Sequence, residues 1–403
     1  NVQIGAGAGV ITLSAASLDN GTGKIIASGN SISVISQEIN NNSGIIQGKD
    51  DVSLLTSSVD NRDGGSIFAL SGDLSLKDPA DDTLTVINQG GQIEAGQSLT
   101  LLASTYAGDA KSEIFGQKNL SLTISENLDN NGKIVGGDKL SIITGKLENN
   151  TQGVIAATAG SASVMVTGAD GLTNSGIIET LSASGALTLN TPVLSNAGTI
   201  LSDSSLQIVV ENTLTNSGKL GNLVGDLTIN SAILGNTGVL TTAGQLAINV
   251  SSQFVNSGTL FATGDVTLAA GQSLTNGTKG QIGSGSGDLT LVASTIENDS
   301  GSLITANGSL SVAADSITNT DAAIQAGEGL IVHADSLRNS SSGEILALAG
   351  GVNIAGQSTG SVKSFLNTAS VIQGLTDLSI QSGVFDNTNC TVLSPSGSVT
   401  SAI

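Results

Sequence analysis

The sequence predicts an all-β solenoid: a right-handed parallel β-helix of about 18 coils, each built from roughly 20 residues. Three observations carry this prediction. Asparagines recur every 20 residues from Asn196 to Asn276, the apolar stretches between them alternate with period two, and the chain has 53 glycines but only 2% aromatic residues. A fixed period of this size is typical of a solenoid, in which each repeat forms one coil stacked on the next.

The repeating unit is an aliphatic residue or phenylalanine, then any residue, then asparagine. The 17 asparagines that fit this rule are Asn20, Asn41, Asn61, Asn88, Asn130, Asn149, Asn174, Asn196, Asn216, Asn236, Asn256, Asn276, Asn298, Asn319, Asn339, Asn367 and Asn387. One turn lacks its asparagine, because Tyr106, Ala107 and Gly108 occupy the triplet there. Counting that turn gives the 18 predicted coils.

Each coil contains three short apolar stretches separated by polar corners. Around Asn256 they are centred on Phe254, on Leu260 and on the alternating run Val266–Leu268. Period-two alternation indicates strands with one buried face, and Gly, Asn, Ser and Thr at the junctions indicate turns. Each strand should pair with the equivalent strand of the next coil, and right-handed winding follows from the strand-connection rule.

A leucine-rich repeat is the main competing fold, because it also combines leucine and asparagine at a similar period. That fold needs Leu-x-x-Leu-x-Leu-x-x-Asn followed by a helical return. This chain instead has Leu-x-Asn-x-Gly, and its return segment is patterned as a second strand. The β-helix therefore remains the predicted fold.

We expect the asparagines to be structural. Stacked about 4.8 Å apart, successive side-chain amides can donate and accept hydrogen bonds along the solenoid axis. Asparagine also tolerates the left-handed conformation that a tight corner needs. Phe254, Phe365 and Phe385 stand two residues before an asparagine, which predicts that this position faces the core. A buried amide without partners would cost about 1–3 kcal/mol, so inward asparagines require a stack.

The repeat lengthens at three places, near residues 77–82, 150–171 and 356–363. In two of these places the extra residues can be identified, as Lys77–Asp82 and Gly356–Lys363, and both insertions follow the alternating strand. They are therefore predicted to emerge at the same corner. Insertions on one face of a solenoid are often its binding sites, although surface insertions also carry little energetic penalty.

Composition excludes several classes of function. The formal net charge of −20 repels phosphate backbones, so nucleic-acid binding is not expected. The single cysteine, Cys390, cannot form a disulfide within the chain. No stretch approaches the roughly 20 apolar residues that span a bilayer, so the chain is not expected to cross a membrane.

Catalysis is not expected either. His333 is the only histidine, no His/Cys cluster suits zinc, and no cofactor motif is present. The only acidic clusters are Asp50–Asp51 and Asp78–Asp82, and there is no tryptophan on which a sugar could stack. Because paired carboxylates could still act on a glycoside, a polysaccharide-cleaving β-helix enzyme stays as a remote alternative.

Tandem units such as LTNSGKLGNLVGDLTINSAI (Leu214–Ile233) and FVNSGTLFATGDVTLAAGQS (Phe254–Ser273) resemble the repeats of filamentous haemagglutinin-type proteins, and the resemblance covers essentially all 403 residues. That family comprises large exoproteins of Gram-negative two-partner secretion, including adhesins, haemolysins and the stems of contact-dependent inhibition toxins. The resemblance implies a right-handed β-helical shaft outside the cell, exported through an outer-membrane transporter of the two-partner secretion type.

Nothing in the chain resembles the family's N-terminal secretion domain or a C-terminal toxin domain. Residues 1–403 are therefore expected to be one continuous shaft segment, secreted or at the surface of a Gram-negative bacterium. The leading hypothesis is a rigid spacer in adhesion, without enzymatic activity, in a molecule whose receptor is a host or neighbouring-cell protein or glycan. The alternatives are the stem of a contact-dependent inhibition toxin and a directly adhesive module whose insertions form the binding face.

Overall fold

The computed structural model describes residues 3–79, 83–357 and 360–402, and all regular secondary structure within them is β-strand. The strand pairings are parallel, and equivalent strands of successive turns pair with each other. The predicted all-β parallel solenoid is therefore confirmed, with about 19 turns at a spacing of about 21 residues. Its right-handed winding stays a prediction. Among the residues described, none forms a helix long and apolar enough to cross a membrane.

The chain divides into two compact units, unit 1 (Asn1–Ile208) and unit 2 (Val209–Ile403). The boundary falls inside the strand Leu206–Asn216. In each unit one sheet receives a single strand per turn, and we call it the short sheet. The other, which we call the long sheet, receives two strands per turn or one longer strand with a bend between its halves. That residues 1–403 form one continuous shaft stays a prediction.

The strands of unit 1 are as follows. Its short sheet comprises Gln3–Ala6, Lys24–Ala27, Ile45–Gly48, Ser66–Ala69, Gln92–Ala95, Glu113–Gly116, Lys133–Gly136, Val154–Ala157, Ile177–Thr180 and Thr199–Ser202. Its long sheet comprises Ile11–Ser14, Ser17–Asp19, Ile32–Ile35, Glu38–Asn40, Val52–Leu55, Ser58–Asp60, Leu74–Lys77, Thr85–Ile87, Ser98–Ala107, Asn119–Asn130, Lys139–Asn149, Ser161–Val166, Leu172–Asn174 and Leu187–Asn196.

Unit 2 repeats the arrangement. Its short sheet comprises Lys219–Asn222, Val239–Thr242, Thr259–Ala262, Gln281–Ser284, Leu303–Ala306, Ala323–Ala326, Glu344–Ala347, Val371–Gly374 and Thr391–Leu393. Its long sheet comprises Leu227–Asn236, Leu246–Asn256, Val266–Ala270, Ser273–Asn276, Leu289–Val292, Thr295–Asn298, Leu310–Thr320, Leu330–Ser340, Val352–Ala355, Ser364–Thr368, Leu378–Gln381, Phe385–Thr388 and Val399–Ala402.

The described residues contain one more turn than the 18 predicted from the asparagines. Nineteen short-sheet strands are present, one per turn. The additional strand is Gln3–Ala6, which precedes the first asparagine of the series, Asn20. An asparagine count therefore misses it.

The core consists of columns of small aliphatic side chains. In the short sheet of unit 1, Ile46, Ile67, Ile93 and Ile114 lie in register in successive turns and are at most 1% exposed. Strand residues alternate between this core and solvent, as period-two patterning requires. The narrow space between two sheets is filled mostly by such columns, with few large aromatics among them.

The phenylalanines two residues before an asparagine follow the same rule with one exception. Phe254 and Phe365 are buried, and the ring centroids of Phe365 and Phe385 lie 4.9 Å apart. Phe385 is only half-buried, because it lies in the last described turns, where few turns follow to cover it.

All three insertions lie at the bend of the long sheet. Regular turns cross this bend either in one long strand, as in Asn119–Asn130 with a shift of register, or in two strands separated by two residues, as in Val266–Ala270 and Ser273–Asn276. The insertions separate the two halves further, at Lys77–Asp82, at Gly356–Lys363 and, for the one located only within 150–171, between Val166 and Leu172. Residues 80–82 and 358–359 of these insertions lie outside the described residues.

Candidate functional site

The 17 asparagines form hydrogen-bonded side-chain ladders within both units. In each rung, Nδ2 of one asparagine donates to Oδ1 of the asparagine one turn later, at 2.7–3.0 Å. Unit 1 has two such stretches, Asn20–Asn88 and Asn130–Asn196, and unit 2 has one, Asn216–Asn387. All but Asn387, the last, are buried. Their contribution to stability stays a prediction.

Every amide in a ladder points the same way. Besides the next asparagine, Asn236 Nδ2 faces the backbone oxygens of Gly238 at 3.4 Å and Thr259 at 3.1 Å. Carbonyl oxygens only accept hydrogen bonds, so an amide flipped to place Oδ1 there would face two acceptors. The aligned amide dipoles polarise one another, which strengthens each bond of the chain.

The asparagines themselves do not adopt the left-handed conformation that tight corners need. That conformation falls two or three residues later, as at Thr22, Asp63 and Asp321, whose φ angles are 59°, 52° and 50°. The asparagine is therefore required at this corner for its amide and not for its backbone freedom.

Tyr106 replaces the missing rung of unit 1. Val86 pairs with Tyr106 and Ile87 with Ala107, so Gly108 occupies the position in line with Asn88. Asn88 Nδ2 donates to the Tyr106 hydroxyl at 3.4 Å. Tyr106 is 1% exposed, and burial raises the pKa of its hydroxyl, which stays protonated. A Cβ atom at Gly108 would lie 2.8 Å from the Tyr106 hydroxyl, so tyrosine and glycine must occur together.

The groups around this break keep partners. Asp109 Oδ1 accepts hydrogen bonds from Gly90 N at 2.7 Å, Lys111 N at 3.0 Å and Ser112 Oγ at 3.0 Å. Burial raises the pKa of Asp109, but these hydrogen bonds outweigh it and hold the pKa below its ordinary value. Beyond the break, Asn130 Oδ1 accepts from its own turn. The polar groups on both sides of the turn that lacks its asparagine thus keep hydrogen-bond partners.

A second side-chain ladder, absent from the sequence predictions, lies at the corner where the short sheet leads into the long sheet. An aspartate Oδ1 accepts the backbone N–H of the next turn at 2.8–3.1 Å; these aspartates are Asp51, Asp73, Asp226, Asp265, Asp288 and Asp377. A glycine of the next turn covers the carboxylate: a Cβ at Gly287 would lie 2.3 Å from Asp265 Oδ1. The recurring Gly-Asp pair before the alternating strand is its sequence signal.

A groove of about 740 Å³ lies at the long-sheet bend of unit 2. Its length follows one in-register column of five strands, formed by Asn230, Asn249, Ala269, Val292 and Ala313. Four strand spacings of about 4.8 Å make it roughly 19 Å long. The lining consists mostly of short apolar side chains, with amide and hydroxyl groups among them.

The insertion Gly356–Lys363 reaches this groove through its second residue. Gln357 lines the groove, together with Asp315. Lys363 fastens the end of the insertion: its N–H donates to the Asp335 carbonyl at 2.8 Å, and its ammonium group lies 2.7 Å from Asp335 Oδ2. The hydrogen bond with this carboxylate raises the pKa of Lys363. The last residue of the insertion is thus fastened to the strand Leu330–Ser340.

The structure does not bring the other sequence-level candidates together. His333 is exposed on the long sheet, Cys390 is a free half-buried thiol, and Asp51 serves the corner ladder. Asp78 is buried and accepts a hydrogen bond from the Thr83 hydroxyl, whereas Asp81 and Asp82 lie outside the described residues. Within the described ranges, no three ligating side chains are placed to hold a metal ion.

Two glutamates are half-buried on the outer face of the short sheet of unit 1. Burial raises the pKa of Glu94, with a smaller contribution from Glu113. Burial likewise raises the pKa of Glu179, with a smaller contribution from Asp203. Such carboxyls are easier to protonate in the folded chain than in the unfolded one.

Replacing Asn236 with leucine should lower the free energy of unfolding by about 1–3 kcal/mol, because Asn216 loses its acceptor and Asn256 its donor. Urea unfolding followed by circular dichroism measures this change. The control is Asn353→Leu, at an exposed long-sheet position, which should change stability by less than about 0.5 kcal/mol. Equal effects of the two substitutions would contradict a structural ladder.

Gly108→Asn alone should destabilise unit 1, because the new side chain collides with Tyr106. The double variant Tyr106→Leu/Gly108→Asn restores the regular triplet and should be more stable than Gly108→Asn by at least about 1 kcal/mol. Chemical unfolding of the four proteins of this cycle gives the coupling energy. Simple additivity of the two single changes would show that the pair is not interdependent.

Stability should fall as the pH rises from about 4.5 towards 7, because a carboxyl with a raised folded-state pKa contributes stability that is lost as the pH passes through that pKa. Unfolding free energies measured from pH 4.5 to 7.5 test this. Glu179→Gln should flatten the slope. Asp60 and Asp109, whose pKa values are lowered, act at more acidic pH and leave this window unaffected. A slope unchanged by Glu179→Gln would refute the assignment.

The model of the haemagglutinin repeat family matches the chain in eight overlapping segments: residues 6–78, 69–105, 116–176, 157–222, 182–246, 223–286, 284–348 and 340–402. Searches of curated proteins and of solved structures find no match. The family matches cover nearly the whole chain and confirm the resemblance drawn from its tandem units. The chain therefore belongs to the haemagglutinin repeat family of filamentous haemagglutinin-type proteins.

Proposed function

We propose that this chain is a segment of an extracellular β-helical shaft, which acts as a rigid spacer in bacterial adhesion. Haemagglutinin-repeat proteins are secreted or surface-exposed and of the adhesin type, which supports the extracellular setting. The observation that carries the spacer role is the uninterrupted stacking inside each unit, where successive turns share parallel ladders, aliphatic columns and buried amide chains.

Stiffness follows from this stacking. Bending a unit would open the turns on its convex side, and each opened turn would break backbone ladder bonds and separate buried amides from their partners in the next turn. The net charge of −20, spread over the exposed columns, favours separation of neighbouring copies. A spacer needs both properties.

The proposal includes export by two-partner secretion from a Gram-negative cell, through an outer-membrane transporter. Strand pairings in the described residues join turns about 21 residues apart, so each turn can pack as soon as the preceding one is outside. With one cysteine, the chain needs no disulfide exchange on the way. The stem of a contact-dependent inhibition toxin would use the same shaft and remains the closest variant of this proposal.

A second candidate is direct adhesion through the unit 2 groove, favoured by its size and by the insertion residue Gln357 that lines it. Its mostly apolar lining with a few amide groups suits binding more than catalysis. Asp315 and Asp335 lie one strand apart, a pair that would otherwise suggest a glycosidase. However, Asp335 Oδ2 is bound to Lys363 and its Oδ1 is buried, so this carboxylate is not free to act on a substrate.

One experiment separates the two candidates. The purified chain is presented to immobilised cell-surface glycans and proteins, and we expect no binding above that of an unrelated solenoid. If binding is observed, the binding of the Ala269→Tyr and Ala313→Tyr variants is measured, because a tyrosine at either lining position fills part of the groove. Thr267→Tyr, on the exposed face of the same sheet outside the groove lining, is the matched control. Binding that only the groove variants remove would replace the spacer by an adhesive module.

A further inference from the structure

The outer face of the short sheet in unit 1 carries a small aromatic notch. Phe68, Glu94 and Phe115 occupy equivalent outward positions in three successive strands, with Glu94 between the two phenylalanines. All three side chains are half-buried. Beside them lies a cavity of about 120 Å³, which Leu70 and Gln117 also line. Gly96 contributes backbone but no side chain to its wall, and so leaves it open.

The Glu94 carboxylate has no cationic partner there. The ion pairs in the described residues join Arg62 to Asp60, Lys146 to Glu148 and Lys363 to Asp335. The charged neighbour that acts on Glu94 is another acid, Glu113, and burial together with this neighbour raises the pKa of Glu94. A half-buried carboxylate against two aromatic rings is unfavourable by itself and complementary to a cation.

We propose that the notch formed by Phe68, Glu94 and Phe115 binds a quaternary ammonium group of the choline type. Two strand spacings place the phenylalanine positions about 9.6 Å apart with Glu94 midway, so a cation held on the Glu94 carboxylate lies about 4.8 Å along the solenoid axis from each phenylalanine position, which compares with the roughly 6 Å range of a cation–π contact. N-methyl carbons extend about 1.5 Å from the nitrogen and so bring apolar surface towards both rings. A bare ammonium group lacks these methyl groups and keeps its water.

Size and charge agree with this assignment. A volume of about 120 Å³ equals that of roughly four water molecules, enough for a trimethylammonium group of four non-hydrogen atoms and less than a sugar ring with its substituents occupies. The carboxylate supplies the counter-charge, and the open sheet face leaves room for the remainder of the ligand. This inference goes beyond the spacer function and does not depend on it. The notch lies in unit 1, whereas the groove of the second candidate function lies in unit 2.

The test uses the purified chain with choline and tetramethylammonium as probes, followed by saturation-transfer difference NMR on the N-methyl protons. We expect both probes to bind in the millimolar range or tighter, and ethanolamine, with a bare ammonium group, to bind at least about threefold more weakly than choline. Glu94→Gln and Phe115→Leu should each weaken choline binding by at least about threefold. Both positions face outwards, so the circular dichroism spectrum should not change.

The matched control is Glu179→Gln, which removes the same charge from an equivalent outward position of the same sheet. Its in-register neighbours are Ala156 and Leu201, without an aromatic ring, so choline binding should be unchanged. Vesicles of phosphatidylcholine, compared with phosphatidylethanolamine, show whether the group is also taken from a lipid headgroup. No binding of choline, or an equal loss in the Glu94 and Glu179 variants, would overturn the proposal.

Discussion

The amide hydrogen bond between asparagines of successive turns is the constraint on which the rest of each unit depends. Because Nδ2 also reaches backbone oxygens of its own turn and of the next, one side chain fixes the corner, the spacing between turns and the start of the following strand. Serine is too short to reach all three partners, and glutamine adds a rotatable bond whose ordering costs entropy. Asparagine matches a spacing of about 4.8 Å, which accounts for its recurrence at each such corner but one.

Much of this architecture could be predicted from the sequence, because residues that are one repeat apart in the sequence lie side by side in successive turns. Positions such as Asn236 and Phe254 follow directly from that rule. The Tyr106–Gly108 pair could be located but not explained, since the collision that couples them depends on where the tyrosine ring lies inside the core. The corner at Asp265 is not evident from the sequence for a different reason. The Asp265 carboxylate accepts the backbone N–H of Asp288, and these two residues are 23 positions apart and meet only through the register.

The candidate sites were less predictable than the fold. The core of a solenoid consists of columns of similar side chains, because each inward residue packs on its equivalent in the next turn. The outward side chains need not match in this way and vary from turn to turn. The notch between Phe68 and Phe115 and the groove beside Gln357 both arise from outer columns, where a short side chain lies next to longer ones. No period marks such places, because their shape depends on differences between adjacent turns. The insertion at Gly356–Lys363 points to the groove only because its residue Gln357 lines it.

The position of the insertions has a physical reason. Each turn has three corners, and two of them are held across turns by side chains, one by the asparagine amides and the other, in several turns, by aspartates that accept the next turn's N–H. Extra residues there would pull a buried polar group away from its partner. At the long-sheet bend several hydroxyls bond within their own turn instead, as from Thr144 Oγ1 to the Lys146 carbonyl, and the bend already absorbs register shifts in regular turns. Length can therefore change at the bend while Asn149 and Asn174 remain paired across the longer turn. A haemagglutinin-repeat solenoid can accordingly vary its surface at this corner without loss of its stack, which makes the bend the place where recognition can be added to a structural shaft.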